Sequence, residues 1–165
     1  LLSQGKQLFY TDRRGNLICR ESESGGLNWK RSLSSGVPYE SPSTTGETLI
    51  VTTLAGAVVA LNVFDGAIIW EKSVGHSVYA SPVIEDGLAF VASSSGEVKA
   101  FRLVDGEAIW TFETGELLTQ PVMIESTDYM VVTTQMGDIY LIDIQDGEQI
   151  FHEALDARIQ SPASM

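Results

Sequence analysis

Short apolar runs punctuated by turn residues occupy the whole chain, and none sustains the 3.6-residue period of a helix. Residues 8–12, 49–53, 89–93 and 130–134 are compact runs of β-branched, aromatic and aliphatic side chains, the composition of buried strands. Each run stops at a tight turn, at Gly15, Gly56, Gly96 or Gly137, and an alternating strand follows over 58–62, 98–102 and 139–143. Next comes a second turn, written Asp65-Gly66, Asp105-Gly106 and Asp146-Gly147, a strong hairpin signal. A strand carrying one large aromatic closes the unit. The pattern predicts four strands per unit and essentially no helix.

The unit repeats four times. The turn glycines Gly25, Gly66, Gly106 and Gly147 are 41, 40 and 41 residues apart, and Trp29, Trp70, Trp110 and Phe151 keep the same intervals. Ser41-Pro42, Ser81-Pro82, Gln120-Pro121 and Ser161-Pro162 mark the entry to each inner strand, where a residue without an amide donor is tolerated. A period near forty residues, rich in short strands, is the signature of a propeller blade. The expected fold is therefore all-β: a β-propeller of four-stranded antiparallel blades, with repeats at about 1–40, 41–80, 81–119 and 120–165. A lone four-stranded sheet buries little apolar surface, so blades must dock on their neighbours. One aromatic per blade at a fixed place suits that task, so Trp29, Trp70, Trp110 and Phe151 are expected to lie buried between blades.

The repeats resemble the PQQ-like repeat of quinoprotein-type β-propellers, whose pattern runs Ala-Leu-Asp-x-x-Thr-Gly-x-x-x-Trp after a Ser-Pro and a short hydrophobic strand. Repeats two and three fit it well, with Asp65 and Asp105 in place of the Thr. Repeat four has Phe151 for Trp, and repeat one has Cys19-Arg20 for the Ala-Leu pair. The resemblance is closest to the scaffold propeller of outer-membrane barrel assembly. It implies a WD-like architecture and a ring usually of eight blades. Its functions range over quinone-dependent dehydrogenases, the barrel-assembly scaffold and extracellular sensor domains. With about four blades here, half of a larger ring is expected, ahead of a two-chain ring or a closed four-bladed one. On this reading the first blade lacks most of its inner strand, and missing blades or a second copy of the chain cover the ends.

Composition narrows the function. Acidic residues outnumber basic ones by 22 to 10, a net charge of −12, which repels phosphate backbones and anionic headgroups and makes nucleic acid a poor partner. A solubilising surface explains the charge, and a basic protein partner is the sharper reading. No apolar run reaches the length of a membrane helix, so direct membrane insertion is not expected. The single cysteine, Cys19, stands where Ala60, Ala100 and Leu141 stand in the other repeats, and reads as a small core residue. A quinone-dependent dehydrogenase of the resembled family has a calcium site, an Asp base and often a disulfide between adjacent cysteines. One cysteine excludes that disulfide within this chain, and His76 and His152 stand too far apart in the repeat to make a metal site. No catalytic residue, cofactor or metal is expected. The favoured function is a non-catalytic protein-interaction scaffold of the cell envelope, periplasmic or extracellular. The alternatives are the propeller of a quinone-dependent oxidoreductase and a ligand-sensing domain.

Positions free of packing duty are where a binding surface can vary. The segments before each proline marker differ most between repeats and enter the innermost strands. They supply Tyr39, Glu40, His76, Tyr79 and Arg158 as candidate partner-binding residues, Tyr and Arg being types enriched at recognition hot spots. An equally open reading makes Tyr39, Tyr79, Leu118 and Ile159 one apolar packing ladder.

Overall fold

The computed structural model describes residues 1–38, 40–118, 122–123 and 128–155. They form sixteen strands in four sheets, with no helix among the described residues. Blade 1 holds β1 (Leu2–Gln4), β2 (Gln7–Thr11), β3 (Asn16–Glu21) and β4 (Leu27–Ser32). Blade 2 holds β5 (Ser43–Thr45), β6 (Thr48–Thr52), β7 (Ala57–Asn62) and β8 (Ile68–Ser73). Blade 3 holds β9 (Val83–Glu85), β10 (Leu88–Ala92), β11 (Glu97–Arg102) and β12 (Ala108–Glu113). Blade 4 holds β13 (Val122–Met123), β14 (Tyr129–Thr133), β15 (Asp138–Asp143) and β16 (Gln149–Ala154). Every sheet is an antiparallel meander in chain order. The short first strands lie innermost: β5 and β9 approach one another across the blade boundary, and Ser43 donates its hydroxyl to the Pro82 carbonyl.

The turns owe their shape to the residues that recur in them. Asp65 Oδ1 accepts the amide of Ala67 at 2.8 Å, Asp105 that of Glu107 at 3.0 Å, and Asp146 that of Glu148 at 2.9 Å. Ser24 Oγ does the same for Gly26 at 3.1 Å in the worn first repeat. A carboxylate or hydroxyl that bonds its own backbone two residues on fixes the turn, and the following glycine adopts the left-handed φ that it needs. Next to each turn, the pairing of the third strand with the outer strand slips at the same place in all four blades, between Cys19 and Arg20, Ala60 and Leu61, Ala100 and Phe101, and Leu141 and Ile142. The bulge twists the outer strand and blunts an edge that would otherwise invite pairing.

Three apolar layers hold the blades together. Phe9, Leu17, Cys19 and Trp29 of blade 1 pack on Leu49, Val51, Val59 and Leu61 of blade 2. The opposite face of blade 2, with Ile50, Val58, Ala60 and Trp70, packs on Ala89, Val91 and Phe101 of blade 3. Phe90, Val98, Ala100 and Trp110 then meet Met130, Val132 and Ile142 of blade 4. Successive residues of a strand point to opposite faces, so β10 in the middle of the arc is buried at every position, whereas only Phe9 is buried in β2.

Two expectations are corrected. Phe151 is not buried between blades: it is 48% exposed on the outer strand β16, because no described residue forms a fifth face to receive it. The first blade does not lack its inner strand. Its β1 pairs with β2 over three residues, as β5 does with β6, and Gln4 Oε1 accepts a hydrogen bond from Thr44 Oγ1 across the blade boundary at 2.9 Å.

Candidate functional site

The repeating aromatic and the repeating glycine meet between blades. Trp29 lies against Gly66 of the next blade, Trp70 against Gly106 and Trp110 against Gly147; a Cβ on these glycines would come within 2.6, 2.6 and 2.7 Å of the respective ring. Only a residue without a side chain lets the ring approach so closely. Each indole N–H also finds a carbonyl of the neighbouring blade three residues before that glycine: Val63 at 2.9 Å, Leu103 at 2.8 Å and Ile144 at 2.9 Å. Trp29 and Trp70 are 8% and 7% exposed, and Trp110 is half-buried. Gly25 shares the backbone of the other three, but nothing lies within 4 Å of the Cβ position.

The crossovers from an outer strand to the next blade's inner strand carry the candidate binding residues. Each crossover starts over its own blade's tight turn: the amides of Leu33, Val74, Thr114 and Leu155 donate to the carbonyls of Gly15, Gly56, Gly96 and Gly137. It then reaches the next blade, where Pro38 bridges to Thr53 and Leu118 to Thr134. His76 is exposed and its backbone seats on Gly56, where a Cβ would meet the His76 carbonyl at 2.4 Å. Glu40 is half-buried and Tyr79 is 52% exposed, in the equivalent crossovers of blades 1 and 2. Topology thus gathers Glu40, His76 and Tyr79 at one end of adjacent blades, where the crossovers and tight turns meet. Tyr39 and Arg158 lie outside the described residues.

One ladder reading is corrected by this geometry. The buried positions are Pro38, Val78 and Leu118, the last at 9% exposure, while Tyr79 points outward. Leu118 aligns with Val78 because the third crossover is one residue shorter before its proline, and neighbours in extended backbone face opposite ways.

Sequence reasoning missed a cluster on blade 4. His152 Nε2 lies 2.8 Å from Asp138 Oδ1, and its ring stacks on Tyr140 with centroids 4.4 Å apart and planes 9° from parallel. The hydrogen bond from His152 holds the Asp138 carboxyl below its ordinary value, against the opposing effect of burial. Burial, followed by the charges of Asp138 and Glu116, pushes the Tyr140 phenol up. The signal was the strand register, in which Tyr140 faces His152. Cys19 is fully buried and its thiol is pushed up by that burial, as suits a packing residue rather than a nucleophile. No group of three or more His, Cys, Asp or Glu side chains placed to hold a metal ion occurs among the described residues.

Comparison with known proteins adds the family. A family model described as "Outer membrane protein assembly factor BamB" matches residues 13–164. A curated outer membrane protein assembly factor BamB from Yersinia pestis is 27% identical over 98 residues, covering 53% of this chain and 25% of the relative. The crystal structure of BamB from Moraxella catarrhalis superposes with a TM-score of 0.80 at 22% identity, over 94% of this chain and 49% of that one. A computationally designed protein, Ika8, superposes with a TM-score of 0.86 at 11% identity, over 97% of this chain and 50% of the other. The chain therefore spans about a quarter of the curated relative and about half of each solved structure. With the repeat pattern, the four meander blades and a family match over nearly the whole sequence, this chain belongs to the BamB family of PQQ-like repeat β-propellers.

Proposed function

We propose that the chain is a non-catalytic scaffold that mediates protein–protein interaction in outer-membrane assembly, at the periplasmic side of the cell envelope. The family match over residues 13–164 carries this reading. Its fold supplies rigid blades whose invariant work is docking, and crossovers whose residues are released from that work. Glu40, His76 and Tyr79, with Tyr39 and Arg158 from the segments that lead to Pro42 and Pro162, form the proposed partner surface. A net charge of −12 favours a partner presenting a basic face, since like charges across an interface raise its cost and opposite ones speed encounter.

The rival reading within the resembled family is quinone-dependent oxidation. Adding pyrroloquinoline quinone with calcium, then following absorbance and dye-linked alcohol oxidation, separates the two. The scaffold reading expects no saturable quinone binding and no turnover. Tight binding with turnover would replace it.

A further inference from the structure

The end of the blades opposite the crossovers is formed by two sets of turns, those between first and second strands and those between third and fourth strands. The second set has one backbone plan. The amides of Gly25, Gly66, Gly106 and Gly147 return to the carbonyls of Glu21, Asn62, Arg102 and Asp143. Two residues before each of these glycines stands an exposed side chain. In blades 1 and 4 it is polar, Glu23 and Gln145. In blades 2 and 3 it is Phe64, 65% exposed, and Val104, 72% exposed. The turn closes with either type, so folding does not call for an apolar side chain there. Two of them exposed in adjacent blades point to an interaction.

Beside Val104 these turns leave an open groove of about 360 Å³ between blades 2 and 3, lined by Thr48, Gly87, Arg102, Leu103 and Val104. Its base is fixed. Leu103 packs on the apolar layer beneath, accepts the Trp70 indole N–H on its carbonyl and donates its amide to the Gly87 carbonyl. Arg102 brings little free charge, because its Nη1 donates to both Asp105 and Glu107. The surroundings are acidic. Glu47, Asp65, Glu85, Asp86, Asp105 and Glu107 are all exposed on the turns of these two blades. Against them stand Arg102, Lys72 with its Cε against Gly106, and Arg31 on the Gly66 carbonyl. Carboxylates are in the majority around an apolar groove.

Blades dock side by side, and both faces at this joint are taken: Trp70 lies against Gly106, and Ile50, Val58, Val91 and Phe101 fill the layer. A neighbouring blade therefore has no place in the groove. We propose that it docks a basic segment of a partner protein. One aliphatic or aromatic side chain of that segment seats against Val104 and Leu103, and lysine or arginine on either side meets the carboxylates. Burial of the anchor supplies affinity, and the acidic rim admits basic flanks while repelling acidic ones. This surface lies at the opposite end of the blades from Glu40, His76 and Tyr79, goes beyond the crossover surface, and stands if that one fails.

Fluorescence anisotropy on the purified chain tests it, with a labelled hexapeptide in which two leucines stand between pairs of lysines. Saturable binding is expected, weaker at high salt. Val104→Ser removes the apolar wall and weakens binding by about fivefold or more. Glu47→Gln with Asp86→Asn removes two flanking charges at nearly constant size and weakens it by about threefold. His76→Ala, at the crossover end, changes nothing. All four side chains are exposed, and a circular dichroism spectrum of each variant verifies that the blades are intact. A peptide with serine for both leucines, or with glutamate for the lysines, loses binding. The proposal is overturned if the lysine–leucine peptide does not bind, or if its binding ignores Val104→Ser or the charge pair. Equal binding of the serine peptide would also overturn it, as would loss of binding in His76→Ala, which places the peptide on the crossovers.

Discussion

At the scale of the residue, the structure turns on what stands opposite each side chain. Gly106 and Gly25 have the same left-handed backbone, φ +69° and +71°, yet only Gly106 has an indole against it. Alanine at either position pays about 1–2 kcal/mol for that backbone. At Gly106 the new methyl also meets Trp70, adding about 1–3 kcal/mol of overpacking. Urea melts are expected to show Gly106→Ala clearly less stable than Gly25→Ala. Equal losses would mean that the close approach has no energetic weight. The blade 4 cluster sets a pH dependence. Because the folded Asp138 carboxyl is held below its ordinary value by His152, its contribution is full above the unfolded value near 4 and is lost as pH falls through the lower folded value. Asp138→Asn should flatten the acid side of the stability curve below about pH 4. An unchanged slope there would remove the pair from the stabilising interactions. Trp29, Trp70 and Trp110 were legible as docking residues from spacing alone. The exposure of Phe151 was not, because burial belongs to the neighbouring face and not to the residue.

At the scale of the element, the same strand is buried on one side or two according to its place in the arc. Residues 49–53 and 89–93 read as continuous apolar runs, and in the structure β6 and β10 lie between two neighbours. Their counterpart β2 faces a neighbour on one side only among the described residues, through Phe9, and carries Tyr10 on the other. Hydrogen exchange should follow this order, with the amides of β6, β7, β10 and β11 slowest and the outer strands β4, β8, β12 and β16 fastest. Uniform protection across the sixteen strands would contradict the layered core. The strand order and turns were legible because Asp-Gly and Ser-Pro act locally. The crossover register was not. A single residue missing before Pro121 shifts Leu118 into the buried place of Val78, and no local signal shows which side of an extended segment faces the core.

At the scale of the whole molecule, the joints are uniform while the crossovers vary, and this division underlies the proposed function. Docking fixes Trp and Gly at the three joints, and a side-chain oxygen that accepts a backbone amide two residues on recurs in the turn of every blade. The crossovers bury Pro38, Val78 or Leu118 and seat on a tight turn, while His76 and Tyr79 are exposed on them. Sequence variation located these segments; it left open which of their side chains face outward, which the bridges to Thr53 and Thr134 decide. The most direct measurement is site-specific photo-crosslinking in intact envelopes, with the photoreactive residue placed at His76, at Tyr79 or, as a control, at exposed Ile109 on the outer rim. A scaffold that works through its crossover end gives a discrete crosslinked protein from His76 and Tyr79 and none from Ile109. The same product from all three positions, or from Ile109 alone, would contradict it.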